Sequence, residues 1–357
     1  MAVWTVYISI LAINSCLWLC LYFGYWRARQ NFDSRDDDVS DVTVIVAVKN
    51  EEHNIPGLLE ALLTQSHPQY ELIIAVDNSE DGTLDLLRRH PRRDQYKVVE
   101  TAGDRSGKKY ALEAGISAAS NEVLVFTDAD CRPGRDWLAT IARQFGSKEK
   151  LVVVGYSPFD RRSGFANRVF RYETFITGFL TAGTIGIHRP YMAVGRNLAY
   201  TRQSWDAVDG FARIMHSLSG DDDLLVQQFA REGIDVVHIF GPGSYVRTEP
   251  PDTVPEWFRQ KKRHVSAGRY YSASASLPLA AFHVSGLVLY TAPFVLGGTG
   301  WSILGVSIVV QWIILRKASA VFLERDLAVW QPVLHVLYSI YNLVLAPLGM
   351  LTKPRRW

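Results

Sequence analysis

Acidic residues recur through the middle of the chain in short clusters whose spacing sets the possible chemistry. Asp77-Asn78-Ser79-Glu80-Asp81, Asp128-Ala129-Asp130 and Asp221-Asp222-Asp223 follow one another, and a basic group, Gln260-Lys261-Lys262-Arg263-His264, closes the series. Carboxylates two apart on a turn, as Asp128 and Asp130 are, can converge on a hard divalent ion that keeps open positions for diphosphate oxygens. Such an ion neutralises charge on a departing diphosphate. A solvated turn is the plainer alternative, and the apolar strand just before it favours the metal. The third cluster carries three carboxylates where a helix N-cap needs one. Adjacent like charges raise one pKa toward the range of a general base, and Asp222, with Asp221 beside it, is the candidate.

Two cationic positions fit an anionic ligand. Lys108 opens a helix, where the helix dipole disfavours a cation, so a phosphate or base-ring contact would explain it. Gln260, Arg263 and His264 share about one helical turn, and Arg263 suits a bidentate grip on a diphosphate. Asp77 sits at a strand end, placed to bond a base ring or ribose, while Asp81 caps the helix after it. His188 and the loop Gly195-Arg196-Asn197-Leu198 fall between the metal and base clusters, where a sugar would sit.

These clusters need a scaffold, and the alternation of patterns supplies one. Val42 to Val48 is an unbroken apolar and β-branched run, as expected of a strand covered on both faces. Asn50-Glu51-Glu52 opens a helix with Leu58, Leu59, Leu62 and Leu63 on one face. Glu71–Val76 is a second buried strand, Tyr96–Val99 a weaker one, Lys108–Ala118 a helix, and Glu122–Phe126 a strand that ends on Asp128. The order predicts a mostly parallel α/β sheet. Ligands in such sheets bind beyond the carboxyl ends of the strands, and Asn50, Asp77 and Asp128 all lie there. The dinucleotide glycine fingerprint is absent around Val48-Lys49-Asn50-Glu51, which disfavours a nicotinamide or flavin enzyme. Further on, Arg168–Leu180, Ser219–Arg231 and Pro255–Arg269 read as helices. In the last, Trp257 and Phe258 beside Arg259, Lys261, Lys262 and Arg263 suit a helix lying on an anionic leaflet.

The flanks are apolar. Val3 to Tyr25 holds no charge and is long enough to cross a bilayer core of about 30 Å. Arg27 and Arg29 follow it, which places the N-terminus outside and the next residues in the cytoplasm. A removable signal peptide is the weaker reading. Leu277–Leu296 and Trp301–Leu315 form a membrane hairpin closed by Arg316-Lys317. Val333–Leu351, framed by Pro332 and Pro347, is either re-entrant or a true crossing with Lys353, Arg355 and Arg356 outside. The expected layout is a membrane helix at 1–26, a linker at 27–41, a catalytic domain at 42–250, an interface helix at 251–272 and a membrane region at 273–357. With 38 Lys+Arg against 36 Asp+Glu, the chain lacks the basic footprint of a nucleic-acid binder. Cys16, Cys20 and Cys131 show no metal-thiolate spacing and fit a reducing compartment.

Val48-Lys49-Asn50-Glu51, Val76-Asp77-Asn78-Ser79-Glu80-Asp81-Gly82-Thr83, Gly107-Lys108, Thr127-Asp128-Ala129-Asp130, Gly220-Asp221-Asp222 and Gln260-x-x-Arg263-His264 together resemble the membrane-bound inverting glycosyltransferase family 2. That family includes cellulose, chitin and hyaluronan synthases and ceramide glucosyltransferase. The resemblance implies a GT-A fold and a nucleotide-sugar donor, usually UDP-linked. It implies Mg2+ or Mn2+ at Asp130 and Asp128, and Asp222 as base. It implies donor contacts at Ala47, Lys49, Asn50, Glu51, Asp77, Ser79, Lys108, Asp128, Gln260, Arg263 and His264. Two positions depart from the family pattern: His264 replaces a Trp that commonly stacks on the acceptor sugar, and Glu113 replaces a frequent Asn. The first weighs against polymerisation, as do the few membrane segments. The leading expectation is transfer of one sugar to a lipid hydroxyl at the cytoplasmic face of the inner membrane. A processive polysaccharide synthase and a nucleotidyltransferase making an activated lipid are the alternatives.

Overall fold

A computed structural model describes residues 2–33, 40–101, 105–146 and 148–351. Residues 34–39 of the expected linker and the terminal cations Lys353, Arg355 and Arg356 lie outside the described residues. The chain forms two compact units: one from the described residues of 1–28, 161–189 and 251–353, the other from those of 29–160 and 190–250.

The second unit is built on a seven-stranded sheet. Its strands are β1 (Val42–Val48), β2 (Tyr70–Val76), β3 (Lys97–Glu100), β4 (Val123–Asp128), β6 (Val152–Val154), β7 (Leu198–Thr201) and β8 (Val236–His238); β5 (Cys131–Pro133) and β9 (Val246–Thr248) pair separately. The order is β3-β2-β1-β4-β7-β6-β8, parallel across the first four strands and turning antiparallel at β7. Every residue of β1 is buried, as its β-branched run requires of a central strand. The first helix of this unit starts at Ile55 rather than Asn50. Asn50 adopts φ 56, a left-handed turn that Asn tolerates better than most residues, so the chain bends there before the helix begins. The register sets the working edge: Ala47 lies opposite Asp128 on β4 and Ala75 on β2.

The first unit is helical. Its main helices are Ala2–Asp33, most of which belongs here, Phe165–Gly186, Val254–Val265, Ala273–Leu296, Gly298–Val321 and Gln331–Leu351. Four of these, all but Phe165–Gly186 and Val254–Val265, are long and apolar enough to cross a membrane. Phe165–Gly186 falls inside the expected catalytic span but packs in this unit, because its face matches the first helix. At their crossing the backbones touch: a Cβ on Gly24 would lie 2.0 Å from Gly183 O, and one on Gly186 1.8 Å from Gly24 O. Only glycine allows this approach. Asn14, the most polar residue of the first apolar run, donates to Ser285 Oγ at 2.9 Å and so is satisfied inside the helix cluster.

Charge inside this unit is paired as well. Buried Arg171 forms a bidentate contact with Asp326 at 2.9 and 2.7 Å and also pairs with Glu324. The helix Val254–Val265 differs from its expected role in one respect. Lys261 is buried against Glu173, and Trp257 stacks on Phe170 with ring centroids 4.8 Å apart, so both point inward rather than to a leaflet. A buried ammonium needs a carboxylate partner, and Glu173 supplies it. Arg259, Arg263 and His264 remain exposed on that helix, and Gln260 is half-buried.

Candidate active site

The site grows from the carboxyl edge of the parallel strands. Asp77 N donates to Val48 O at 2.9 Å, which ties the ends of β1 and β2 together. The Asp77 side chain is wholly buried, and its Oδ2 accepts from Lys49 Nζ at 3.0 Å, Gly107 N at 2.9 Å and Ser106 Oγ at 3.2 Å. Asp77 therefore fixes the start of the helix Lys108–Ala118 through Oδ2, while its Oδ1 has only Thr101 Oγ1, at 3.5 Å, among the described residues. Lys49 also reaches Ser106 Oγ at 3.0 Å. The turn after β1 is sewn to the turn after β2. Asn50 N donates to Ser79 Oγ at 3.1 Å, Glu80 N to Asn50 Oδ1 at 2.8 Å, and Glu51 N to Thr83 Oγ1 at 2.8 Å. The N-cap of the next helix is Gly82 rather than Asp81, which stands one residue earlier and takes Thr83 N at 3.0 Å.

The decisive contact belongs to Lys108. Its ammonium lies 2.9 Å from Asp128 Oδ1 and 2.9 Å from Asp221 Oδ2. The Asp128–Asp130 turn and the triple-aspartate run, distant in sequence, thus share one cation. Asp222 stands beside them: Oδ2 accepts from Gly195 N at 2.9 Å and Oδ1 from Asp223 N at 2.8 Å. Each oxygen keeps a second lone pair for an incoming proton. Gly195 faces the same cluster, and a Cβ there would come within 3.4 Å of Lys108 Nζ and 3.5 Å of both Asp221 and Asp222 oxygens.

Electrostatics separates the two acids. Burial raises the Asp222 pKa and the charge of Asp221 raises it further, against smaller opposing effects of Lys108 and the backbone donors. Burial alone would raise Asp221 too, but Lys108, with Lys109 and a backbone donor, holds its carboxyl below the ordinary range. Lys108 itself is held protonated, because the charges of Asp128, Asp221 and Asp222 overcome the cost of burial. One carboxylate stays ionised in a pair while its neighbour is tuned upward, which is how acid–base roles are divided.

The donor set suits a hard divalent ion. One ligand atom each from Asp128, Asp130 and Cys131 lies within 4.8 Å of the others. Burial pushes the Cys131 thiol up, and it donates to Asp130 Oδ1 at 3.3 Å, so the two carboxylates are the natural ligands and the sulfur supports one of them. Glu51 is raised chiefly by burial, and the charges of Asp130 and Asp128 add to it, which marks an excess of negative charge at this edge. The pairing of β5 with β9 steadies the turn, with Thr248 Oγ1 3.5 Å from Asp130 Oδ2.

Comparison with known proteins decides the family. Residues 43–202 match Glycosyl transferase family 2, and residues 123–347 match Glycosyl transferase family group 2. The chain belongs to glycosyltransferase family 2. It is 32% identical to glycosyltransferase AglE of Haloferax volcanii over 136 residues, which is 38% of this chain and 44% of the relative. It is 25% identical to the probable glycosyltransferase YdaM of Bacillus subtilis over 262 residues, 70% of this chain and 60% of that one. The chain thus spans about half the length of these two relatives. The structure of the mannosyltransferase PcManGT from Pyrobaculum calidifontis, solved with GDP-Man and Mn2+, superposes with a TM-score of 0.56 at 20% identity, covering 94% of this chain and 98% of that one. This shows the fold to be GT-A.

Sequence reading named Asp128, Asp221, Asp222 and Lys108, and the structure brings all four together. Gly195 was noticed only as part of a loop, and its role as a backbone donor leaves no signature in residue type. Gln260, Arg263 and His264 belong to the helical unit and are described within it.

Proposed function

We propose that this protein is an inverting glycosyltransferase that moves one sugar from a nucleotide-sugar donor, UDP-linked in our reading, to a hydroxyl of a membrane lipid. The observation that carries the proposal is the Lys108 ammonium bridging Asp128 and Asp221 at 2.9 Å each, with Asp222 alongside. That arrangement supports a single cleft with a metal turn on one side and a tuned base on the other.

In this reading Asp222 accepts the proton of the acceptor hydroxyl as its oxygen bonds to the anomeric carbon. The bond from that carbon to the diphosphate oxygen breaks, and the nucleoside diphosphate leaves with the electron pair. The backbone N–H groups of Gly195 and Asp223 aim the carboxylate, so no reorientation is needed as the reaction proceeds. Lys108 keeps Asp221 ionised and fixes its distance from Asp128. A divalent ion, Mg2+ or Mn2+, held by Asp128 and Asp130 would supply Lewis-acid stabilisation of the departing diphosphate. Ala47, Lys49, Asn50, Glu51, Asp77 and Ser79 line the edge we assign to the nucleoside. The sequence motif alone assigns Gln260, Arg263 and His264 to the donor.

The four apolar helices support a membrane-embedded enzyme, and the first helix followed by Arg27 and Arg29 supports a cytoplasmic catalytic unit. The purified full chain in lipid nanodiscs, given Mn2+, a panel of labelled UDP- and GDP-sugars and total membrane lipid, tests the reading. Label in the organic extract with release of the nucleoside diphosphate is expected. Label in long water-soluble polymer would favour a processive synthase, and release of pyrophosphate would favour a nucleotidyltransferase.

A further inference from the structure

Lys109, next to Lys108, is a cation that the reaction scheme does not use, and it is nearly inaccessible at 5% exposure. Its ammonium donates to three backbone carbonyls: Ile214 O at 2.8 Å, Ser217 O at 2.6 Å and Ser219 O at 3.0 Å. An ammonium has three N–H donors, so these contacts saturate it. Burying a lysine is unfavourable unless its charge is compensated, and a cation in the first turn of a helix also opposes the dipole. Lys109 is buried on this helix together with the apolar residues Ala111, Leu112, Gly115 and Ile116. The charges of Asp221, Asp222 and Asp223 favour its charged form against the burial that lowers its pKa.

The three carbonyls lie on the loop that runs directly into Gly220, Asp221 and Asp222. One helix end therefore holds the carboxylate run in two ways. Lys108 grips the Asp221 side chain, and Lys109 grips the backbone just before it. Asp77, through Gly107 N, anchors that helix end to the sheet. We propose that Lys109 is a positioning residue for transfer, fixing loop 214–219 so that Asp222 meets the acceptor hydroxyl. This rests on the assignment of Asp222 as the base.

The test uses the full chain in nanodiscs, with UDP and Mn2+ as the binding probe and the sugar donor that gives transfer in the panel. Lys109→Met keeps the length of the side chain and removes the donors. UDP binding within twofold of native is expected, with kcat per UDP-binding site down at least tenfold and donor KM little changed. A structural lysine would instead lower the fraction that binds UDP and leave kcat per site intact. If Lys109→Met yields no binding-competent protein, Lys109→Arg decides by the same readouts: its planar fork cannot serve three convergent carbonyls, so kcat per site should fall at least fivefold. Native kcat per site in whichever of these variants folds overturns the proposal. Asp222→Asn, measured in parallel, separates the two ideas. If that variant transfers normally, the base assignment fails; if it is silent while the Lys109 variants are native, only the positioning role fails.

Discussion

Replacing Asp222 with Asn removes the proposed base while changing the shape of the site very little. General-base catalysis contributes about 10²–10⁴-fold, and at about 1.4 kcal/mol per tenfold this is about 3–5 kcal/mol of the barrier. The cost to the fold should be far smaller. Asp222 accepts from Gly195 N and Asp223 N, and the amide of Asn can accept only one of them through its carbonyl, which costs about 1 kcal/mol. Removing the repulsion with Asp221 works the other way, so thermal stability should move by less than about 1 kcal/mol. The pH dependence follows from the raised Asp222 pKa. The base must be unprotonated, so native kcat rises with pH along a limb displaced above the ordinary carboxylate value of about 4. The native fold binds this proton more tightly than the unfolded chain does. The contribution of Asp222 to stability is therefore full below the ordinary carboxylate pKa and is lost as pH rises through the raised one. Initial rates across pH 4–9, with UDP binding measured by calorimetry, give all the quantities. Transfer by Asp222→Asn within about threefold of native, or a loss of UDP affinity matching the loss of rate, would refute the base role.

Three other changes probe the supports. Asp130→Ala should abolish the Mn2+-dependent part of UDP binding, and calorimetric titrations that match native protein with and without Mn2+ would contradict the metal assignment. Lys49→Met removes one donor from wholly buried Asp77 while Gly107 and Ser106 remain, and Lys49 is itself 30% exposed, so a loss of about 1–2 kcal/mol is expected in chemical denaturation of the chain. Gly186→Ala drives a methyl into Gly24 O, and overpacking should cost at least about 1–3 kcal/mol; an unchanged melting temperature in detergent would show that the two helices can separate at that point.

The sheet was legible where strands are long and buried. β1, β2 and β4 announce themselves as β-branched runs, and the helix Lys108–Ala118 has the expected bounds. β6, β8 and β9 have three residues each, too few for any period to show, and the switch to antiparallel pairing at β7 depends on contacts distant in sequence. The carboxylates of the site were readable because three acids in a row have no ordinary structural use. Lys108 was recognised as misplaced for a helix start, but its partners, Asp128 and Asp221, come together only in the fold. Lys261 reads like its basic neighbours, and only Glu173, from a helix some ninety residues earlier, turns it inward.

Pulsed EPR measures the separation of metal and base, with bound Mn2+ and a nitroxide attached at position 222 of the Asp222→Cys variant in which the exposed Cys16 and Cys20 are changed to Ser. A manganese–nitroxide distance short enough for one hexose and the label arm to fill is expected. Loss of the signal is expected when Asp130 is replaced by Ala. A separation well beyond that, or Mn2+ binding that survives Asp130→Ala, would place the metal and the carboxylate in different sites and contradict the account.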